Sequence, residues 1–593
     1  MMPGPGDRGR EKQKPKNTKK TLIRLLRYMF RYIFIVLILL LSAFASNIGN
    51  LLGPDFAGKA ITEAGRGAGN VDLGLVIHYG ILMLLVYVGS NILSFFVNIG
   101  MMRVSRYVAR NMRQDVFNKL MELPVSYFDK HFAGDIISRV SYDIDVVSTS
   151  LSSDVVQILT SIVTVAGSFA MMCYISAPLV LCMAFTIPVS VLFTRYMSKK
   201  TRPLYRVRSL AYGEMNGFAE EMFTGQKTIL SYAHEDYVCE RFEEINRNAA
   251  EAYRDADGLG MTMGPTVGLI NNIGLSAIGL GGALLYMNGI VGLGQISSFI
   301  LYSRKFSGPI NEISNIVNEI FSALAAAERV FQLLDEAEEV KDKEDAITLK
   351  EAEGLVEVRD VEFGYLKNKT IINDFNMKAS PGETVAIVGH TGAGKTTIIN
   401  LLMRFYDPQK GSILVDGKDS KQYTMESLRK NYSMVLQDTW VFSGTIFDNI
   451  AYGKENATMD EVTEAAKAAH IHNYIMRLPK GYNTVIGEDG GNISKGQKQL
   501  ITIARAMLYD TSMLILDEAT SNVDTATERK VQAAMRNLMI GKTCFIIAHR
   551  LSTIRNADNI LVMEHGDVVE QGNHDSLMER KGVYYRLYAS QFE

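Results

Sequence analysis

Cysteine is scarce in these 593 residues: Cys173, Cys182, Cys239 and Cys544 are the only four. They fall at no metal-ligand spacing and in no CxxC pair. That excludes a disulfide framework or a cysteine-built metal centre and leaves reduced thiols used as small apolar residues. An excess of charge is missing too. Lys and Arg number 62 against 64 Asp and Glu, a net charge of −2. The molecule therefore lacks the positive surplus of a nucleic-acid binder, and no nucleic-acid partner is expected. Tryptophan occurs once, at Trp440. No small-residue cleavage site follows the first apolar stretch, which is also too long for a signal peptide, so no cleavage is expected there.

What is abundant is apolar: 47% of residues, against 21% charged. The mean hydropathy is slightly positive, high for a soluble chain with so many charges, so the apolar residues must be concentrated in part of it. The length calls for two or three domains. Residues 1–20 carry Pro, Gly and charge with almost no large apolar side chains and read as a disordered basic tail.

Six apolar stretches precede residue 330: Phe30–Leu52, Val76–Met102, Val155–Tyr174, Ala177–Phe193, Met263–Tyr286 and Ile296–Ala325. Most reach the length of about 20 residues that crosses a hydrocarbon core. Several are apolar all round, unlike the helices of a soluble core. The basic residues gather before the first stretch, after the second (Arg103, Arg106, Arg110, Arg113) and after the fourth (Lys199, Lys200, Arg202, Arg206, Arg208). This asymmetry predicts a cytoplasmic amino terminus in the cytoplasmic membrane. Thr21–Arg31 puts Arg24, Arg27 and Arg31 on one helical face and suits a helix lying in the inner interface. The inner stretches 103–154 and 194–262 keep helical periodicity, so the spans are expected to continue as long helices, with turns near 134–139 and 218–225 that can touch a cytoplasmic domain. Arg304 and Lys305 lie at membrane depth. Either they line a watery cavity and touch substrate or a gate, or they snorkel or pair with a carboxylate.

From about Leu349 the pattern changes to short strand-like runs among helical ones, an α/β domain. The boundaries read as 1–20 tail, 21–335 six-span membrane domain, 336–350 charged linker and 351–593 nucleotide-binding domain. The strand Thr384–Val388 runs into Gly389-His-Thr-Gly-Ala-Gly-Lys-Thr, and a helical Ile398–Met403 follows. This is GxxxxGK[ST] in strand–loop–helix context, whose backbone N–H groups wrap phosphates. Gly389, Thr391, Gly392, Gly394, Lys395, Thr396 and Thr397 are thus the candidate ATP-binding set, with Lys395 reaching the β- and γ-phosphates and Thr396 holding Mg²⁺. A second apolar run, Met513–Leu516, ends in Asp517-Glu518. Asp517 is placed to hold Mg²⁺, directly or through water, and Glu518 to orient and deprotonate the attacking water.

With these residues the chain resembles the ATP-binding cassette transporters, specifically exporter-type half-transporters with six spans fused to one nucleotide-binding domain. The resemblance covers about residue 20 to the end. It implies that Tyr365 stacks on adenine, that Gln437 contacts Mg²⁺ and senses the membrane domain, and that His549 contacts the γ-phosphate. Ile493-Ser-Lys-Gly-Gln looks like the signature sequence, so Ser494, Gly496 and Gln497 would bind the ATP held by a second subunit. Glu488 looks like part of a loop against the membrane domain, and Ser521–Asp524 like the loop that communicates across the dimer. The usual signature is Leu-Ser-Gly-Gly-Gln; here Lys495 replaces the first of the two glycines. With Glu518 retained, that departure favours a heterodimer with a different half-transporter over a homodimer. The resemblance implies ATP-driven export of amphipathic drugs, lipids or peptides by alternating access, with membrane lipid and an amphipathic small molecule as partners. Import of a metal chelate or a non-transporting regulatory ATPase are the alternatives.

Overall fold

The computed structural model describes residues 17–67, 69–184, 186–366, 369–436, 439–487, 493–517, 525–547 and 554–592. It divides into two compact units. One holds the described residues up to Glu122 with His131–Ala337; the other holds Leu123–Lys130 and the chain from Glu338 onward.

The first unit is built from helices. They are α1 (Thr18–Phe30), α2 (Ile33–Ala64) and α3 (Leu73–Glu122), then, after the short α4 (Val125–Lys130) of the other unit, α5 (Ala133–Ser138) and α6 (Ile144–Ile175). The chain continues through α7 (Ala177–Ala184), α8 (Thr186–Thr224), α9 (Gln226–Ser231), α10 (Glu235–Met261), α11 (Met263–Met287) and α12 (Leu293–Leu334). Among the described residues, four helical segments are long and apolar enough, by length and composition, to cross a membrane: Ile33–Ala64, Leu73–Glu122, Ala133–Ile175 and Glu235–Met287. The fourth expected stretch is shared between α7 and α8 on either side of residue 185. The sixth lies in α12, where Arg304, Lys305 and Glu319 dilute the apolar run. At 50 residues, α3 extends about 75 Å, well over twice a hydrocarbon core. Its basic half from Arg103 therefore continues the span as a polar helix, as the periodicity predicts.

The turn that ends α3 differs from expectation. It comes at Leu123-Pro124 rather than near 134–139, because the residue before a proline is pushed out of helical geometry. It is Leu123–Lys130 that belongs with the cassette, where the Tyr406 hydroxyl donates to the Asp129 carboxylate at 2.5 Å. Residues 134–138 instead lie in α5, which leads into a π-helical turn, Arg139–Asp143. That turn directs the buried Asp143 at α12, where Arg329 donates from Nε at 2.9 Å and from Nη2 at 2.5 Å.

The seam between α2 and α12 explains Lys305. Pro54 lies inside α2. It has no N–H for the carbonyl of Asn50, one turn back, and its ring crowds that turn. Three side chains of α12 donate to this turn, and one of them, Lys305, answers the Asn50 carbonyl. Lys305 Nζ donates to Asn50 O at 2.9 Å, Tyr302 Oη to Leu51 O at 2.6 Å, and Ser298 Oγ to Pro54 O at 2.7 Å. Further along the seam the backbones touch: a Cβ on Gly58 would sit 2.5 Å from Gly294 O, and one on Gly294 would overlap Gly58 O. Small residues allow that approach, which is how helices associate in lipid. The partner of Lys305 is therefore a backbone carbonyl and not the carboxylate expected for a paired cation, and its ammonium also lies 5.8 Å from the Tyr87 ring centroid. Arg304, next to it in sequence, is exposed.

The second unit is α/β. Its strands are β1 (Val356–Phe363), β2 (Ile372–Ala379), β3 (Thr384–Gly389), β4 (Lys410–Val415), β5 (Lys418–Asp419), β6 (Tyr432–Val435), β7 (Gly444–Thr445), β8 (Val485–Ile486), β9 (Met513–Asp517), β10 (Thr543–Ile547), β11 (Asn559–Glu564) and β12 (Asp567–Gly572). The main sheet runs β12-β11-β3-β10-β9-β6, parallel except for β12; an antiparallel sheet, β2-β1-β4-β5, flanks it. The apolar runs of β3, β9 and β10 are buried on both faces, as central parallel strands are. Cys544 is part of β10. Burial pushes its thiol up to about 12, so it acts as a small apolar residue.

Candidate nucleotide site

The site is set by which strand ends share an edge. In register, Ile387 of β3 pairs with Ile547 of β10, and Ile547 with Asp517 of β9. Gly389 and Asp517 thus end their strands at the same carboxyl edge with one strand between them, about 12 Å apart at two strand spacings across and two residues along. In open α/β sheets ligands bind at this edge.

From Gly389 the chain turns through Gly392 and Gly394, both left-handed at φ +87° and +102°. A Cβ on Gly394 would lie 2.7 Å from Ile372 Cδ1. The loop then opens a helix, α13 (Lys395–Leu402), whose N-cap Gly394 offers no side-chain cap. The first-turn N–H groups of α13 are left for a ligand, and the helix end favours an anion. Thr391 and Thr396 are exposed on the loop and first turn, while Thr397 is buried.

Lys395 is buried and rests on its own loop: Nζ donates to Gly389 O at 2.7 Å and to His390 O at 3.0 Å. Burial lowers its pKa, and the nearby Asp517 carboxylate works against that shift. A cation held this way is under-compensated, since carbonyl dipoles stand in for full solvation. A phosphate would complete it. The loop, the uncapped helix end, Lys395, the exposed Thr396 and Asp517 at the strand end together fit a nucleotide with its Mg²⁺.

Tyr365 stands beside this loop. Its ring packs edge-on against Phe363 and Tyr406, with centroids 5.1 and 5.0 Å away. Its hydroxyl accepts from Asn400 Nδ2 at 3.0 Å and donates to Thr397 Oγ1 at 3.3 Å. Asn400 and Tyr406 are absent from the motif reading, because neither lies in a motif and the contacts cross elements.

Ser494, Gly496 and Gln497 belong to a different element, the first turn of Lys495–Tyr509. Ser494 is the N-cap. Its Oγ accepts from Gln497 N at 3.3 Å, and Gln497 Oε1 accepts from Ser494 N at 2.9 Å. This reciprocal cap fixes the turn, leaving Ser494 and Lys495 exposed and Gly496 buried. Further along that helix, Arg505 lies between the Trp440 and Tyr452 rings, at 5.7 and 5.4 Å, and Nη1 donates to Trp440 O at 3.2 Å. Arg505 thereby ties this helix to the segment that follows Gln437, a link no spacing in the sequence announces. Gln437, Glu488, Glu518, Ser521–Asp524 and His549 lie outside the described residues.

Residues 35–310 match the model of the ABC transporter transmembrane region, and residues 372–521 that of the ABC transporter. YfiC of Bacillus subtilis, described as an uncharacterized ABC transporter ATP-binding protein, is 41% identical over 98% of this chain and 96% of its own length. The ATP-dependent lipid A-core flippase of Methylobacillus flagellatus is 35% identical over 98% of this chain and 99% of its own. A fatty acid ABC transporter ATP-binding/permease protein of Mycobacterium bovis is 46% identical over 80% of this chain and 75% of its own. Among solved structures, a bacterial Atm1-family ABC exporter with ATP bound superposes with a TM-score of 0.75 at 28% identity, covering 95% of this chain and 99% of that one.

Proposed function

The chain belongs to the ABC transporter family, as a membrane protein whose cassette is an ATPase coupled to transport, and from that premise we propose that it exports lipid-like amphiphiles as one half of a dimer. The cassette and the amino terminus face the cytoplasm in this reading. The observation that carries it is the phosphate loop, with Lys395 buried on two carbonyls and an uncapped helix end in front of it.

In the proposed cycle Lys395 leaves the Gly389 and His390 carbonyls for the β- and γ-phosphates, while the first-turn N–H groups and Thr397 hold the remaining oxygens. Tyr365 stacks on the adenine. Thr396, Asp517 and Gln437 would hold Mg²⁺, whose charge offsets that of the phosphates. Glu518 orients the attacking water and accepts its proton, and His549 steadies the γ-phosphate. Ser494, Gly496 and Gln497 close on the nucleotide of the other subunit, and dimer closure drives alternating access. A different partner subunit is favoured because Lys495 adds an exposed cation to the signature turn.

The lipid-like substrate class rests on the flippase and fatty-acid relatives, whose match includes the membrane half. The test is ATP-dependent movement of labelled phospholipid or fatty acid in proteoliposomes with outward-facing cassettes, for the chain alone and with its co-purifying partner. Glu518→Gln is expected to abolish movement and ATP hydrolysis together. Retained hydrolysis in Glu518→Gln would remove that residue's assigned role. Wild-type hydrolysis that moves none of these amphiphiles would sink the substrate class.

A further inference from the structure

The middle of the membrane unit holds a cavity that nucleotide chemistry does not use. It lies among α2, α3 and α6 and has a volume of about 180 Å³. Hydrogen bonds fix the level at which its walls meet. Ser46 Oγ donates to Ser90 O at 2.7 Å. Asn47 Nδ2 donates to Thr160 O at 2.9 Å, and Thr164 Oγ1 donates to Asn47 Oδ1 at 3.0 Å. Leu39 packs on Gly100, and Leu51 on Gly167. α3 therefore runs against α2, and α6 runs with it.

That arrangement makes the cavity layered. Ala43, Val97 and Val156 form an apolar floor. One helical turn along, about 5 Å, Asn47, Ser94 and Thr160 supply amide and hydroxyl groups, and Asn50 follows nearly a turn later. None of the residues lining the cavity is charged. The polar layer has bonding capacity to spare. Asn47 is buried and spends one of its two N–H groups on Thr160 and one of its two lone pairs on Thr164. Among the described residues, Asn50 and Ser94 make no side-chain hydrogen bond; Lys305 answers the backbone of Asn50 and not its amide. Polar side chains at such depth are ordinarily paired across helices.

We propose that this cavity is a binding site for an uncharged, hydroxyl-bearing group, such as the glycerol head of a neutral lipid. A hydroxyl offers one donor and two acceptor lone pairs, which suits a layer of amides and hydroxyls. The carbon skeleton of the ligand rests on Ala43, Val97 and Val156. The volume suffices, since a cavity of roughly 150 Å³ admits a benzene ring. A carboxylate or ammonium head would enter without a counter-charge. Bare hydrocarbon would leave the polar layer unanswered, and water would leave the floor unanswered. Occupancy needs neither ATP nor a second subunit, so it can fail or succeed independently of the export reading.

The test uses the full chain in phosphatidylcholine nanodiscs, whose lipid carries no hydroxyl. The probe is octanoyl monoglyceride bearing a diazirine. Labelling on illumination is expected to be saturable and to map to residues 43–50, 94–97 and 156–160. Unlabelled octanoyl monoglyceride should displace the probe. Methyl octanoate and octanoate, which lack hydroxyls, should compete roughly five-fold less well for each hydrogen bond lost. Displacement by free glycerol as effective as by the monoglyceride would assign the site to soluble polyols, and displacement by the monoglyceride alone to a lipid; both keep the hydroxyl chemistry. Asn50→Leu and Ser94→Val each narrow the cavity without removing a described hydrogen bond. Each should cut labelling several-fold while the melting temperature of the unliganded chain holds. Labelling that does not saturate, as for a cavity that holds water only, would overturn the proposal. So would labelling outside the three segments, equal competition by methyl octanoate, or labelling that survives both substitutions.

Discussion

Lys395 in the cassette rests its ammonium on the carbonyls of Gly389 and His390; Lys305 in the membrane unit rests its own on the carbonyl of Asn50. The contacts are alike and the consequences are opposite. The carbonyls under Lys395 belong to a loop built to receive an anion, so its bonds are provisional. The carbonyl under Lys305 lost its helical donor to Pro54, so its bond completes the fold. One lysine waits for a ligand and the other replaces a missing peptide N–H. A cation in a nearly dry place is thus no sign of catalysis until the state of its acceptor is known.

The sharpest way to break this contrast is to remove each ammonium in turn. Lys395→Met is expected to lower ATP hydrolysis by on the order of 10²-fold or more, as loss of a charge aimed at the transition state does. The melting temperature of the nucleotide-free chain should barely move. Lys305→Met should do the reverse. It leaves a half-buried carbonyl without its side-chain donor, a cost of about 1 kcal/mol or more, read as a lower melting temperature in detergent with the catalytic residues untouched. In a Pro54→Ala background the same substitution should cost less, because the peptide N–H returns. An unchanged penalty there would show that Lys305 does something other than answer Pro54.

A smaller effect is expected at Gly394→Ala, since φ +102° is strained for any side chain and Ile372 stands in the way. A loss of about 1–2 kcal/mol is expected, together with a weaker thermal shift on adding nucleotide. Smallest is the pH effect of Lys395. Its folded pKa is depressed by burial, so between that value and the ordinary ~10.4 the unfolded chain binds more protons. Stability of the nucleotide-free protein should therefore rise with pH across that window, relative to Lys395→Met. Bound nucleotide should abolish the rise, because phosphate favours the protonated lysine.

The two regions also differed in how legible they were. The cassette's central strands could be read because parallel strands buried on both faces are continuous apolar runs. The phosphate loop could be read because its glycines, lysine and threonine are contiguous. Long helices in the membrane half followed from periodicity alone. Lys305 could not be resolved, since its acceptor lies 255 positions away and the reason for the contact is a proline in another helix. The end of α3 was misplaced for a local reason, a single Leu123-Pro124 step inside a stretch that stays helix-prone on both sides. Asn400 and Arg505 went unseen because each acts on a ring from another element.

Synthesis of this chain meets the α2–α12 seam in an awkward order. Asn50 leaves the ribosome long before Lys305, and at about 5–20 residues per second the interval is roughly 10–50 s. For that time α2 must wait in or near the bilayer with a carbonyl its own helix cannot satisfy. Its settled position is reached only when the last membrane helix arrives. A chain that ends before α12 therefore has a first span without the lysine donor that answers its Asn50 carbonyl.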